Sequence, residues 1–476
     1  MDSAALVEMF DFVRERKIPV HSVQIARDGR LALDAYFYPF EPQTRHDVAS
    51  VTKSITSLLV GLAIDKGFLA DVRQPLSGAF PERRSVKVDD RKNRITLEHL
   101  LCMNAGWDCG FEPKEERLFE MRSSADWLQF MLDLPMVAEP GTRWAYCSGN
   151  CHVLSMLLTQ ATGTNALAFA RRELFGPLGI SDLAWPADRA GHNHGWGDLQ
   201  MRPRDMAKIG QLMLQRGRWG QQQILAEAWV TASTSPQVSR TSNNDQYGYL
   251  WWVKGAGYPG MFEAVGRGGQ RITVWPARDL VVVFTGGGFE PGELAPFLLK
   301  ALKSDGPLPP NRDASRELQK RLAAARQAPA TKRPAKLPAL ARAVSGKMFE
   351  FSPNRLQLEA LRLEFKKPSE KRDRLNAELQ TARAELLWQG KRIIFPIGLD
   401  GIERFSMNPI VNLRQAAKGE WLDAHTFSLE LDLVGGINSY RIQLGFPTAS
   451  SVDVEVTERT GLNEEHFKGR SPANRQ

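Results

Sequence analysis

Ser50 and Lys53 stand three residues apart in His46-Asp-Val-Ala-Ser-Val-Thr-Lys53. They head a run that thickens in apolar residues at Ile55, Leu58, Leu59, Leu62, Ala63 and Ile64. Spacings of three and four predict a helix buried on most of its faces, with Asp47 and Ser50 as N-terminal residues and Gly67 as its stop. A lysine three residues after a serine then lies one turn above it on the same face. Partial desolvation is expected to lower the pKa of that ammonium and to let it take or relay the serine proton. Ser50 would also sit at the positive end of the helix dipole, its backbone N–H free to hold an oxyanion. A capped helix with a solvated lysine carries the same signature, so the reading depends on the buried helix and on two later stretches.

The first of these is Tyr146-Cys-Ser148, in the turn-rich loop Glu139–Asn150 ahead of a helical pattern. A phenol beside an ammonium is expected to lose its proton more easily and to serve Ser50 as general base, with Ser148 passing a proton or binding substrate. A turn tyrosine that only packs its ring is the plainer alternative. The second is Val265-Gly-Arg-Gly-Gly-Gln270, which opens an apolar strand. Gly268 and Gly269 would let a substrate approach the strand edge, and Arg267 would set a fixed positive charge at the cleft mouth, suited to a carboxylate. A Gly-rich hairpin turn would look the same. Trp185 and His194, in a loop rich in Gly, His and Trp, are further candidates for the cleft wall.

These stretches need elements to carry them. A helix over residues 3–16 is followed by strands at 20–26 and 31–38, joined through Asp28-Gly29. Helical patterns begin at Glu98, Ser124, Val153 and Arg204, and strands at 247–253, 260–265, 270–275 and 280–285 precede a closing helix at 294–303. Strands at both ends with helices between them predict an α+β unit over residues 1–303, its antiparallel sheet gathering the two ends. Residues 304–343, dense in Pro, Lys and Arg, read as a semi-rigid linker with a short helix at 314–326. From 344 to 460 the period becomes two, as in Phe427, Leu429, Leu431 and Leu433, with one slip at Ala360 that a bulge would give. That is an all-β accessory domain, a sandwich or an up-and-down, lipocalin-like barrel. Residues 461–476 read as a polar tail.

With 476 residues, 42% hydrophobic and 24% charged, the chain has the composition of a globular protein with a sizeable core. Much of its net charge of +8 lies between Arg312 and Lys347, where no aromatic residue is interleaved. A solvated basic linker, not a nucleic-acid surface, is expected there. The acidic amphipathic start is not expected to act as an export signal, and no apolar run approaches the ~20 residues of a membrane span. A cytoplasmic location is expected. Cysteines 102, 109, 147 and 151 match no common zinc spacing and read as four thiols in a reducing compartment. No metal or cofactor is expected, and the oligomeric state is not readable. Thr285-Gly-Gly-Gly lacks the βαβ context of a dinucleotide loop and reads as a strand-to-helix turn.

The order Ser-x-x-Lys, Tyr-x-Ser, then Gly-Gly before a strand resembles the serine β-lactamase and penicillin-binding-protein superfamily. Within it, the chain looks most like the class C β-lactamase-related hydrolases, which include carboxylesterases and 6-aminohexanoate-dimer hydrolases. Ile95-Thr-Leu-Glu-His-Leu-Leu, Pro140-Gly-Thr-Arg-Trp-Ala-Tyr, Arg202-Pro-Arg-Asp-Met-Ala-Lys-Ile-Gly and Tyr247-Gly-Tyr-Leu-Trp-Trp-Val stand between the motifs in order, so the likeness spans about residues 15–303. It implies Ser50 as nucleophile, Lys53 and Tyr146 as the proton-handling pair, Ser148 as an auxiliary, and the N–H groups of Ser50 and Gln270 as the oxyanion hole. Ser148 replaces the Asn of β-lactamases, and Arg267-Gly-Gly replaces Lys-Thr-Gly. Both departures point away from β-lactams and toward an ester or amide of a small molecule. A DD-peptidase or penicillin-binding enzyme, and a silent scaffold with the same fold, are the alternatives.

Overall fold

The computed structural model describes residues 1–83, 89–110, 115–239, 245–304, 306–365 and 381–472. Residues 111–114 of the loop before the Tyr146 motif, 366–380 of the β domain and the last four of the tail lie outside this description.

The first domain is built on an antiparallel sheet. Helix α1 (Ser3–Arg16) leads into β1 (Val20–Arg27) and β2 (Arg30–Tyr36), which turn at Asp28-Gly29. Far along the chain, β3 (Phe262–Gly266), β4 (Gln270–Trp275) and β5 (Leu280–Gly286) form a meander. In space β5 pairs with β1, so the N-terminal hairpin closes onto the last meander strand and one sheet gathers both ends of the domain. On one face lies a helical lobe around α2 (Val51–Asp65), which packs against α3 (Ser148–Thr162). Every residue of α2 from Val51 to Ala63 is buried. Burying Leu58, Leu59 and Leu62 contributes about 1.5–3 kcal/mol each before entropy is counted. This helix has no solvated side, which is why the sequence shows apolar residues nearly all round it. The other sheet face is covered by α1, by α4 (Ala295–Ala301) and by α5 (Arg312–Ala325).

That last helix falls in the stretch expected to be a linker. It packs on α1 through Leu318 and Leu322, and Arg321 donates to Asp11 at 2.8 Å.

The second domain is a closed β-barrel, the second of the two forms expected. Among the described residues, ten strands run from Met348–Phe351 to Glu464–Arg470 as a meander, with first pairing last and a parallel bridge from Gly398 to Lys418 closing the other side. The register slips between Leu358 and Ala360, where the sequence pattern breaks. Residues 464–470, read from sequence as tail, are the strand that completes the barrel. Glu464-Glu-His-Phe-Lys-Gly-Arg has one inward apolar side chain, Phe467, too little for a period of two to be visible.

The barrel's loop 434–438 docks on the first domain beside the Ser50 segment. Asp47 N–H donates to the Gly435 carbonyl at 2.7 Å. Gly435 has φ +88°, and a Cβ there would stand 2.0 Å from the Arg45 carbonyl. Both the dihedral and the clash act on Gly435→Ala, so the docked form should lose at least about 1–3 kcal/mol. Limited proteolysis of that variant should cut between the domains faster than in the parent; an unchanged digestion pattern would contradict this docking.

Candidate active site

Ser50 follows a sharp backbone turn. Ala49, the residue before it, is held at φ +47°, a conformation that costs a non-glycine residue about 1–3 kcal/mol. Its neighbours over-determine it. Asp47 Oδ1 accepts the Ala49 N–H at 2.8 Å, and the Ala49 carbonyl accepts both the Thr52 hydroxyl at 2.6 Å and the Thr52 N–H at 3.1 Å. From there Ser50 caps α2 without spending its side chain on the cap. Its hydroxyl is therefore free for Lys53, whose Nζ donates to Ser50 Oγ at 2.8 Å and to the Trp196 carbonyl at 3.1 Å.

Lys53 is only 2% exposed. A buried ammonium needs partners, and Tyr146 is one. Its ring lies 4.7 Å from Lys53 Nζ, and Lys53 and Ser50 both act on its phenol to favour the phenolate. The loop holding Tyr146 stacks its ring on Trp252, centroids 6.3 Å apart, and beside Trp144.

The protonation balance corrects two expectations. Burial pulls the Lys53 ammonium down, but the Tyr146 oxygen and the Glu115 carboxylate more than offset that, so its pKa is raised, not lowered. Burial also pushes the Tyr146 phenol up, and Glu115 opposes the pull of Lys53, leaving it raised as well. The resting pair is an ammonium beside a neutral phenol.

Glu115 was not singled out from the sequence. It is the N-cap of a short helix at Glu116–Ser123, with φ +43°, and no spacing rule marks it. Its carboxylate accepts the Ser148 N–H at 2.7 Å and the Ser148 hydroxyl at 3.0 Å, capping α3, whose own N-cap Cys147 offers no side-chain bond. Ser148 thus faces Glu115. A disulfide joins Cys109 to Cys147, the residue between Tyr146 and Ser148, while Cys102 and Cys151 are buried thiols. Four free thiols were expected. The 38-residue separation in sequence hides a Cα–Cα distance of 5.6 Å in the fold.

The third stretch arrives through β3. A Cβ on Gly266 would stand 2.5 Å from the Val48 carbonyl, so a glycine is what lets the strand end press against the segment ahead of Ser50. Gln270, which opens β4, is 1% exposed and ties its side chain to the Gly286 carbonyl at 2.6 Å. Gly268 and Gly269, expected to make room for substrate, face Ile437 of the barrel and the ring of Phe289, so protein fills that space. Arg267 donates to Asn438 Oδ1 at 2.6 Å and to the Thr460 hydroxyl. Its terminal nitrogens are committed to the barrel, where the sequence suggested an open carboxylate receptor.

Trp185 and His194 are both buried. Trp185 Nε1 donates to the His194 carbonyl at 2.8 Å, and the His194 ring stacks on Trp196 at 4.7 Å and lies beside Trp127 at 5.2 Å. This aromatic block fixes the Trp196 carbonyl that Lys53 uses. Beneath it, His194 Nδ1 and Asp198 Oδ2 are 2.7 Å apart. Burial raises Asp198, but His194 more than offsets it and the carboxyl ends low, whereas burial, with Asp198 facing it, pushes Asp47 up to about 7. Among the described residues no group of His, Cys, Asp and Glu could hold a metal ion.

A model of the β-lactamase family matches residues 7–302. The chain belongs to the β-lactamase family. One curated relative, the 6-aminohexanoate-dimer hydrolase of Paenarthrobacter ureafaciens, is 25% identical over 280 residues, 54% of this chain and 70% of that protein. Of solved structures, the hydrolase EstCE1, which has promiscuous acyltransferase activity, aligns with TM-score 0.54 and 17% identity over 63% of this chain and 99% of its own. The octameric penicillin-binding protein homologue of Pyrococcus abyssi aligns with TM-score 0.51 and 15% identity over 99% of this chain and all of its own, barrel included. At these identities the two structures speak for the fold. As a β-lactamase-family member the chain is an enzyme of the serine-hydrolase kind. No helix among the described residues is long and apolar enough to cross a membrane.

Proposed function

We propose that this enzyme cleaves an ester or amide bond of a small substrate through an acyl-enzyme on Ser50. The observation that supports it most is the 2.8 Å contact of Lys53 Nζ with Ser50 Oγ, with the Tyr146 ring 4.7 Å from the same Nζ. Ser50 Oγ attacks the carbonyl carbon, its proton passes to the Lys53–Tyr146 pair, and the oxyanion rests on the backbone N–H groups of Ser50 and Gln270. The pair returns the proton to the leaving alcohol or amine. Water then takes the place of the leaving group, and the acid is released. Glu115 holds Ser148 and the head of α3, and so the geometry of Tyr146.

Because both members of the pair are raised, the form that can accept a proton is a minority near neutrality. It grows about tenfold per pH unit until the pair's first macroscopic pKa is passed. The logarithm of kcat/KM should therefore climb with a slope of about one from pH 7 to 9, and a flat profile would remove the pair from the proton-transfer role.

The 6-aminohexanoate-dimer hydrolase likeness and the Ser148 and Arg267 departures favour an ester or linear amide over a β-lactam. A panel of p-nitrophenyl esters, short peptides with free termini and a chromogenic cephalosporin tests this. Turnover of esters or peptides is expected; turnover of the cephalosporin alone would overturn it. The Cys109–Cys147 disulfide fits an oxidising compartment better than the cytoplasm expected from sequence.

A further inference from the structure

The two backbone N–H groups that the proposed reaction uses for the oxyanion, those of Ser50 and Gln270, belong to segments far apart in the sequence. Within the first domain these segments touch at Gly266. A Cβ there would stand 2.5 Å from the Val48 carbonyl and 3.1 Å from the Ala49 Cβ. The turn Arg267–Gly269, which delivers Gln270, is also held by the Gly288 N–H, donated to the Gly268 carbonyl at 3.0 Å.

The barrel grips the same two segments. On the Ser50 side, the Gly435 carbonyl accepts the Asp47 N–H at 2.7 Å, three residues ahead of the nucleophile. On the Gln270 side, the Ile437 side chain fills the place that a Cβ on Gly268 would take, and Ile437 is itself buried. The next residue, Asn438, accepts the Arg267 guanidinium at 2.6 Å through Oδ1, and its amide donates to the Tyr440 hydroxyl at 3.2 Å. The other end of the guanidinium donates to the Thr460 hydroxyl and lies 3.9 Å from the Glu458 carboxylate. That carboxylate is buried and accepts the N–H groups of Thr460 and Leu462, both at 3.1 Å, so the anchor is itself fixed. One short loop of the barrel thus reaches the residues ahead of both donors. A guanidinium held at two of its nitrogens fixes orientation as well as distance.

We infer that the barrel has a role in the reaction: its loop 434–438 clamps the Ser50 segment against the turn that delivers Gln270, with Ile437 and Asn438 as positioning residues for the oxyanion N–H pair. The inference rests on the acyl-enzyme reading of Ser50. Such donors act only when they are aimed at the place the oxyanion will occupy. A displacement of about 1 Å can cost 10²-fold in rate.

The test compares three full-length proteins: the parent, Ile437→Ala/Asn438→Ala, and Ile437→Val/Asn438→Asp. The last keeps a branched side chain against Gly268 and an oxygen acceptor for Arg267. A fluorophosphonate counts the reactive serines in each, and p-nitrophenyl acetate turnover is expressed per counted site. The alanine pair should keep one site per chain and lose at least about tenfold in kcat, with KM within about threefold. Its kcat/KM should still climb from pH 7 to 9, because neither Lys53 nor Tyr146 is changed. The conservative pair should recover most of the lost kcat. Parental kcat per site in the alanine pair would overturn the inference. So would a loss confined to the number of sites, which is a folding role alone, or a conservative pair no better than the alanine pair. A parent without an adduct on Ser50 would instead strike the reading of Ser50, and this inference with it.

Discussion

Ser50→Ala is expected to reduce kcat on any substrate the enzyme turns over by about 10⁴-fold or more, because removing the nucleophile from a covalent mechanism leaves only binding and oxyanion stabilisation. The fold should not follow. Ser50 makes no side-chain cap to α2, so the change removes one hydroxyl and its 2.8 Å bond to Lys53. Lys53 keeps the Trp196 carbonyl and the Tyr146 phenol. An unfolding midpoint close to that of the parent, together with lost turnover, separates a chemical role from a structural one. Residual turnover above a few per cent would mean that another group attacks the substrate.

Tyr146→Phe carries the second large effect. Phenylalanine keeps the ring on Trp252 and over Lys53 Nζ, so packing and the cation–π contact survive. Only the phenol oxygen, on which Lys53 and Ser50 act, is lost. Removing a positioned acid–base group typically costs 10²–10⁴ in rate, so kcat should fall by about that factor while KM moves little. The alkaline climb of kcat/KM should also change position, because Lys53 then loses the first of the partners that raise it. A variant with parental kcat would exclude the phenol from proton transfer and leave Lys53 to act alone.

Legibility followed the range over which each feature is determined. The α2 helix could be read because its apolar spacing and its Ser-x-x-Lys head lie within one stretch of chain. The β1–β2 hairpin showed in Asp28-Gly29, and the barrel's slip at Ala360 showed as a break in a period of two. Features made by distant segments meeting did not show. Glu115 reaches Ser148 across 33 residues, and Cys109 bonds Cys147 across 38. Arg267 read as a free charge because its partners, Asn438 and Thr460, are about 170 residues or more away in another domain. Gly268 and Gly269 likewise read as room for substrate when Ile437 and Phe289 occupy it. The protonation state of Lys53 and Tyr146 was misjudged for one physical reason: the sequence shows neither how deeply both are buried nor the Glu115 carboxylate beside them.

The central claim is that Ser50 is the group that becomes acylated. Intact-protein mass spectrometry after reaction with a fluorophosphonate, followed by peptide mapping, tests it directly. One adduct per chain on the peptide carrying Ser50 is predicted, absent in Ser50→Ala. An adduct on Ser148 or any other residue that persists in Ser50→Ala would contradict it.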